Sequence, residues 1–178
     1  MLGIDRINAL DNKRRPSRPD WRFVVSHPAH FIAFGFGAGM APIVPGTFGT
    51  LVAIPLTLWL LPAYGDVGFG LIVLGALLLG FWVCDITGRS LGIADYGGIV
   101  WDEVVAMMLV LWLLPTLTWT WIGVAFVLFR IFDIVKLPPA RYFDTRWKNG
   151  VGVMMDDIAA AFHTVIVLAL LQRITGWL

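Results

Sequence analysis

The sequence predicts an all-α fold: a polytopic membrane bundle of about four to five membrane-embedded helices, with an irregular Gly/Pro re-entrant segment near residues 35–49. Three observations carry that expectation. First, the 178 residues are 58% hydrophobic and 14% charged, with 9 Trp and 12 Phe. Soluble domains average roughly 45–50% apolar and about 25% charged, so a water-soluble chain of this length would lack the polar surface to cover itself. Second, uncharged stretches run from Phe31 to Gly65, Val67 to Cys84, Val104 to Phe129 and Ile158 to Gln172. Third, threading these stretches across a bilayer collects almost every charge at one face.

Each segment follows in order. Residues 1–27 form a basic cytoplasmic or interfacial arm, with Arg6, Lys13, Arg14, Arg15, Arg18 and Arg22 against Asp5, Asp11 and Asp20. They contain no apolar core of a secretory signal. Residues 28–178 make up the membrane domain. Its first apolar stretch is too long for one span and is broken by Gly35, Gly37, Gly39, Pro42, Pro45, Gly46 and Gly49. The first half reads as an irregular or re-entrant loop, and Thr50–Leu61 as mostly helical. Irregular backbone at membrane depth survives only where protein or a wet cavity satisfies it, which marks this loop as part of a site. Val67–Cys84 fits one span of about 20 residues. The stretch after Val104 is divided by Pro115, followed by Thr116, Leu117 and Thr118, and reads as two helices with a tight turn.

With the basic arm cytoplasmic, the chain crosses outward by Leu61, returns by Asp85, leaves by Pro115, returns by Lys136 and leaves towards Leu178. Only Asp66 and Arg173 then fall on the far side. Val104–Leu114 is 11 residues, about 16 Å of helix. A fuller span must begin near Gly98 and draw Asp102 and Glu103 into the interface. The last helix, starting near Val153, does the same with Asp156 and Asp157. Acids at membrane depth are expensive and mark functional sites, although helix-start acids also arise simply from the helix dipole.

Two acidic pairs on two helices offer oxygen ligands to a hard cation, for which Mg²⁺ takes one or two carboxylates, waters and phosphate oxygens. Such a metal lets a phosphate dianion approach carboxylates that would otherwise repel it. Arg130, Asp133 and Lys136 share a helix face, with Arg141 and Arg146 following in the loop after Pro138 and Pro139. The turn Pro42–Thr50 leads into a helix start whose backbone N–H groups and the Thr47 hydroxyl suit an anion; it lacks the lysine of a P-loop. His163 reads as a core histidine and Cys84 as a packing residue, without disulfide or metal-site spacing. A net charge of +1 gives no nucleic-acid footprint.

Four segments resemble the phosphatidylglycerophosphatase A family: Gly35–Gly49, Ile99–Val104 with its Trp-Asp-Glu, Phe129–Asp133 with Lys136, and Gly152–Ile158 with its Asp-Asp. They stand in the family's order and spacing over roughly residues 28–170. The resemblance implies Mg²⁺-dependent hydrolysis of phosphatidylglycerophosphate to phosphatidylglycerol and phosphate in a bacterial inner membrane, with membrane lipids as partners. It places Asp102, Glu103, Asp156 and Asp157 in the active site as metal ligands. Lys136, Arg141 and the Thr47 turn are then expected to bind phosphate. Asp95 and Asp133 are expected to take a proton or orient Lys136. The chain departs from the family at Tyr96, where a His is common, and at Leu137, which separates Lys136 from Pro138. Signatures of CDP-alcohol transferases, haloacid-dehalogenase phosphatases and Pro-Ser-Gly-His lipid phosphatases are absent. The alternative from another class is a small non-enzymatic transporter or lipid-binding protein.

Overall fold

The computed structural model describes residues 19–175; most of the basic arm, residues 1–18, lies outside them. All regular structure among the described residues is helical. In chain order the helices are α1 (Trp21–Ser26), α2 (Pro28–Ala33), a 3-10 turn (Gly35–Met40), α3 (Pro45–Leu91), α4 (Trp101–Trp112), α5 (Trp119–Val135), α6 (Ala140–Arg146) and α7 (Gly150–Thr175).

Local chemistry sets the boundaries. The Asp20 carboxylate accepts from Phe23 N at 2.9 Å and caps α1, and His27 Nδ1 accepts from Ala29 N at 3.1 Å and caps α2, as side-chain acceptors do for orphan first-turn N–H groups. The Thr118 hydroxyl caps α5 through Trp121 N, and Asn149 Oδ1 accepts from Gly152 N at 3.0 Å at the start of α7. Gly92 closes α3 in the left-handed conformation, which glycine adopts without steric penalty. Pro115 keeps residues 113–118 out of helix, as expected from its missing N–H.

The irregular segment is shorter than the sequence suggests. Helix α3 begins at Pro45 rather than Thr50, because proline is pre-set for a first helical position. The non-helical backbone is confined to residues 34–44, with left-handed Phe36, Gly37 and Val44. Helix α4 starts at Trp101 instead of near Gly98, since Val100 N is spent on Ala33 O at 2.9 Å. Helix α7 starts at Gly150, one turn before Val153.

Helix α3 spans 47 residues but breaks at Gly65 (φ 68°, ψ 177°). Straight, its ends would lie about 70 Å apart. Instead Gly46 packs against Glu103 and Gly49 against Val100, while Gly150 packs against Asp85 and Phe81. Thr87 bonds His30 across 3.0 Å, and the segment containing His30 is tied to Val100. Both ends of α3 therefore meet at one end of the bundle, and Gly65 reverses the chain. The two halves, 45–64 and 66–91, each come to at least about 30 Å of helix. Asp66 lies at the opposite end beside Trp112–Pro115.

Helix α4 is the centre. Val104, Val105, Ala106, Met107, Met108, Val110 and Leu111 are all buried, the pattern of a helix apolar on every side. Close approach is achieved at Gly80, where a Cβ would stand 2.5 Å from Met154 Sδ and 3.1 Å from Trp101. Cys84 is buried with its Sγ 3.8 Å from Met154 Sδ, in keeping with a packing role. By contrast α3 turns Trp59, Leu71, Leu74, Leu78 and Trp82 outward. Helices α3 and α7 are each long and apolar enough to cross a membrane, and an outward apolar face on this scale suits lipid rather than water. Two buried hydroxyls donate along their own helices, Thr50 to Gly46 O and Thr164 to Ala160 O, both at 2.8 Å, whereas Thr57 Oγ1 is buried without a partner.

Candidate metal and phosphate site

The first turn of α4 carries Asp102 and Glu103, and Asp157 lies about two turns into α7. Packing of α7 on α4 brings carboxylate oxygens of all three within 4.8 Å of one another. Asp102 and Asp157 are only 6% and 3% exposed. Asp102 Oδ1, Glu103 Oε2 and Asp157 Oδ2 are buried and accept no hydrogen bond. Asp133 of α5 stands beside Asp157. The local cation is Arg130, with Nη1 2.6 Å from Asp133 Oδ2 and 3.6 Å from Glu103 Oε1. Four carboxylates thus face one guanidinium, and buried charge is tolerated only when paired or metal-bound. Three all-oxygen ligands with unmet lone pairs fit a hard divalent cation.

A second polar group adjoins the first because neighbouring residues of α7 point in different directions. Asp157 enters the three-acid cluster, whereas Asp156 binds the Lys136 ammonium at 2.6 Å. Lys136 also holds Asp144 of α6 at 2.8 Å. It closes α5 in a left-handed conformation (φ 50°), uncommon for a residue with a Cβ. Burial works against the lysine's charge, but the hydrogen bonds it donates to Asp144 and Asp156 outweigh it and hold the ammonium above its ordinary range. Asp95, exposed in the loop before α4, lines a small recess with Asp144, Asp156 and Lys148.

The Gly/Pro turn packs directly on the acids. A Cβ at Gly46 would overlap Glu103 Oε1 and stand 3.1 Å from Arg130 Nη1. Thr47 follows, half-buried, with its N–H bonded to Val44 O at 3.0 Å. Beside the turn opens a cleft of about 370 Å³ lined by Phe34, Met40, Pro42, Pro45, Tyr96 and Gly98. Tyr96 thus faces this cleft, with its ring centroid 6.2 Å from that of Phe34.

Of the residues singled out from sequence, Asp102, Glu103 and Asp157 share one cluster, with Asp133 at its edge and the Thr47 turn against it. Asp156, Lys136 and Asp95 gather in the adjoining group. Arg141 lies exposed on α6 and makes no ion pair among the described residues. His163 Nδ1–H donates to Ala159 O, 2.7 Å away, and the ring stacks on Phe132, as a packing histidine does. Arg130, a basic residue expected on one face with Asp133 and Lys136, reaches the acids themselves, whereas nothing in the sequence marks Asp144.

The family model for phosphatidylglycerophosphatase A matches residues 31–172. A Haemophilus influenzae phosphatidylglycerophosphatase A is 44% identical over 146 residues, covering 82% of this chain and 90% of the relative. The Escherichia coli protein of the same name is 43% identical over 140 residues, covering 78% and 80%. No solved structure matches significantly.

Proposed function

This chain belongs to the phosphatidylglycerophosphatase A family, and from that premise we propose that it hydrolyses phosphatidylglycerophosphate to phosphatidylglycerol and phosphate, using Mg²⁺, at the cytoplasmic face of a bacterial inner membrane. It is a lipid phosphatase of phospholipid biosynthesis. The observation that carries the mechanism is the buried three-acid cluster with unmet oxygens at one end of an apolar bundle.

The diacylglycerol tails stay among lipids along the outward faces of α3 and α7 while the phosphomonoester enters the polar end. Asp102, Glu103 and Asp157 hold the metal directly, and Asp156 supports the set from its place on Lys136. When bound, Mg²⁺ polarises the phosphoryl group and lowers the pKa of a bound water. Lys136 and Arg141 lend positive charge to the incoming headgroup, and the Thr47 hydroxyl at the start of α3 adds a donor. Asp133, beside Asp157, accepts the proton of the attacking water as the phosphorus–oxygen bond to glycerol breaks, and a proton returns to the leaving oxygen, which departs as the glycerol hydroxyl. Asp95 acts from the other side by helping to orient Lys136. No side chain in the cluster is placed as a covalent nucleophile.

Five crossings accommodate this site: the two halves of α3, then α4, α5 and α7, with residues 1–27 as a cytoplasmic arm on the 28–178 domain. The reversal at Gly65 supports that count. So does the placement of Asp66 at the end opposite the acids, and so do the 12 residues of α4, about 18 Å long, which bring Asp102 and Glu103 below the headgroups.

Phosphate release from phosphatidylglycerophosphate by the purified protein in detergent tests the reading. Release that stops with EDTA and returns with Mg²⁺ is expected. A folded protein that releases none under either condition would favour transport or lipid binding instead.

A further inference from the structure

We propose that Arg130 is a catalytic residue: its guanidinium grips the phosphoryl oxygens directly, an inference that rests on the lipid phosphatase reading above. Several cations lie at this end of the bundle, but their surroundings differ. Lys136 already neutralises two carboxylates. Arg89 is 80% exposed and paired with Asp85. Arg141 and Arg146 are exposed on α6, and Lys148 donates to the Asp144 carbonyl. Arg130 alone among these reaches the acid cluster, with its side chain 14% exposed.

The guanidinium is held but not satisfied. Asp133 fixes Nη1 by proximity at 2.6 Å, yet that nitrogen lacks hydrogen-bond alignment, and Nε is buried without any acceptor. A buried donor left without an acceptor is costly, and an oxygen-rich anion seated at the Nη1–Nη2 edge supplies the aligned acceptor that Nη1 lacks. One flank of Nη1 is bounded by Gly46, where the Glu103 carboxylate takes the place a Cβ would occupy, and by the first turn of α3, where Val44 offers no side-chain cap. A phosphoryl group between Arg130 and the cluster thus meets a planar fork suited to two oxygens and the positive end of a helix. Charge on a transferring phosphoryl group spreads over its equatorial oxygens, so a pre-positioned guanidinium binds the transition state more tightly than the ground state.

The test uses the full-length protein in detergent with Arg130→Lys and, as a control at an exposed position, Arg89→Lys. Turnover of phosphatidylglycerophosphate, inhibition by inorganic phosphate, Mn²⁺ binding by electron paramagnetic resonance and melting temperature are measured together. Arg130→Lys should lose on the order of 100-fold in kcat, the scale for one lost electrostatic donor. Phosphate inhibition should weaken about tenfold, while Mn²⁺ affinity and melting stay at wild-type values. Arg89→Lys should change none of these. The role is overturned if Arg130→Lys keeps turnover within about threefold, because a lysine cannot reproduce the fork. It is equally overturned if Mn²⁺ affinity falls in step with turnover, which would make Arg130 only a counter-charge for the acids. A wild-type protein without Mg²⁺-dependent release would instead sink the parent reading, and this role with it.

Discussion

Replacing Gly46 with alanine separates activity from stability in a way the geometry allows to be worked out. The new Cβ would overlap Glu103 Oε1 and stand 3.1 Å from Arg130 Nη1, so one of the two must withdraw by an ångström or more to reach ordinary contact. The displaced atom is the end of a side chain, not backbone, and rotating Glu103 off its preferred conformer costs about 0.5–1.5 kcal/mol. At about 2–4 °C per kcal/mol for a chain of this size, melting should fall by no more than about 6 °C. Turnover should fall far more, because a misplacement of about 1 Å at a reacting centre costs on the order of 100-fold, and Glu103 is one of three acids in the cluster. Phosphate release and thermal unfolding in detergent read the two quantities separately. Gly75→Ala is the matched control: it lies in the second half of α3 with nothing within 4 Å, so it should gain up to about 1 kcal/mol from helix propensity and leave turnover untouched. Gly46→Ala with full activity would refute the placement of Glu103 in the site. Equal losses of activity and fold would reduce Gly46 to a packing residue.

Asp157→Asn should abolish turnover and weaken Mn²⁺ binding while the protein still inserts, as measured by EPR and size-exclusion chromatography; unchanged Mn²⁺ affinity would remove Asp157 from the ligand set. Asp156→Asn should also abolish turnover, and Lys136→Ala should in addition lower melting, since it leaves Asp156, 4% exposed, without its cation; breaking such pairs costs about 3–5 kcal/mol when fully buried, and less here because Lys136 is 28% exposed. His30 supplies a pH dependence. Burial, and then the neighbouring His27, hold its pKa below the ordinary value, so the unfolded chain takes up the proton first and stability is lost as pH falls from about 6.5 towards the lower folded value. His30→Gln should flatten that part of the melting-temperature curve between pH 7 and 5; an unchanged slope would assign it to other groups.

How much of this was legible beforehand follows from which forces are local. Hydropathy located the apolar helices, because transfer of side chains out of water is a property of composition and run length. Pro115 located the break before α5, because a missing N–H and a fixed φ act on the residue's own turn. The acids at the start of α4 and in α7 could be expected at one end of the bundle because charge asymmetry indicates which helix ends share a face. The starts at Trp101 and Gly150 differ from the sequence expectation by a few residues because each depends on a distant partner, Val100 N on Ala33 O and Gly150 N on Asp85 Oδ1, whereas the earlier start at Pro45 follows from proline's own geometry.

What the sequence by itself determined is the class of the molecule, its family and the short set of acids and cations from which the site is made. The tertiary structure decided how that set divides. Asp156 and Asp157 are adjacent in sequence, but successive residues on a helix point about 100° apart. Which one meets Glu103 and which one meets Lys136 depends on the rotation of α7 against α4 and α5. The same packing leaves the Arg130 side chain only 14% exposed and Arg141 in the open, a distinction that no charge count along the chain contains, because burial is set by neighbours brought together only when the bundle closes.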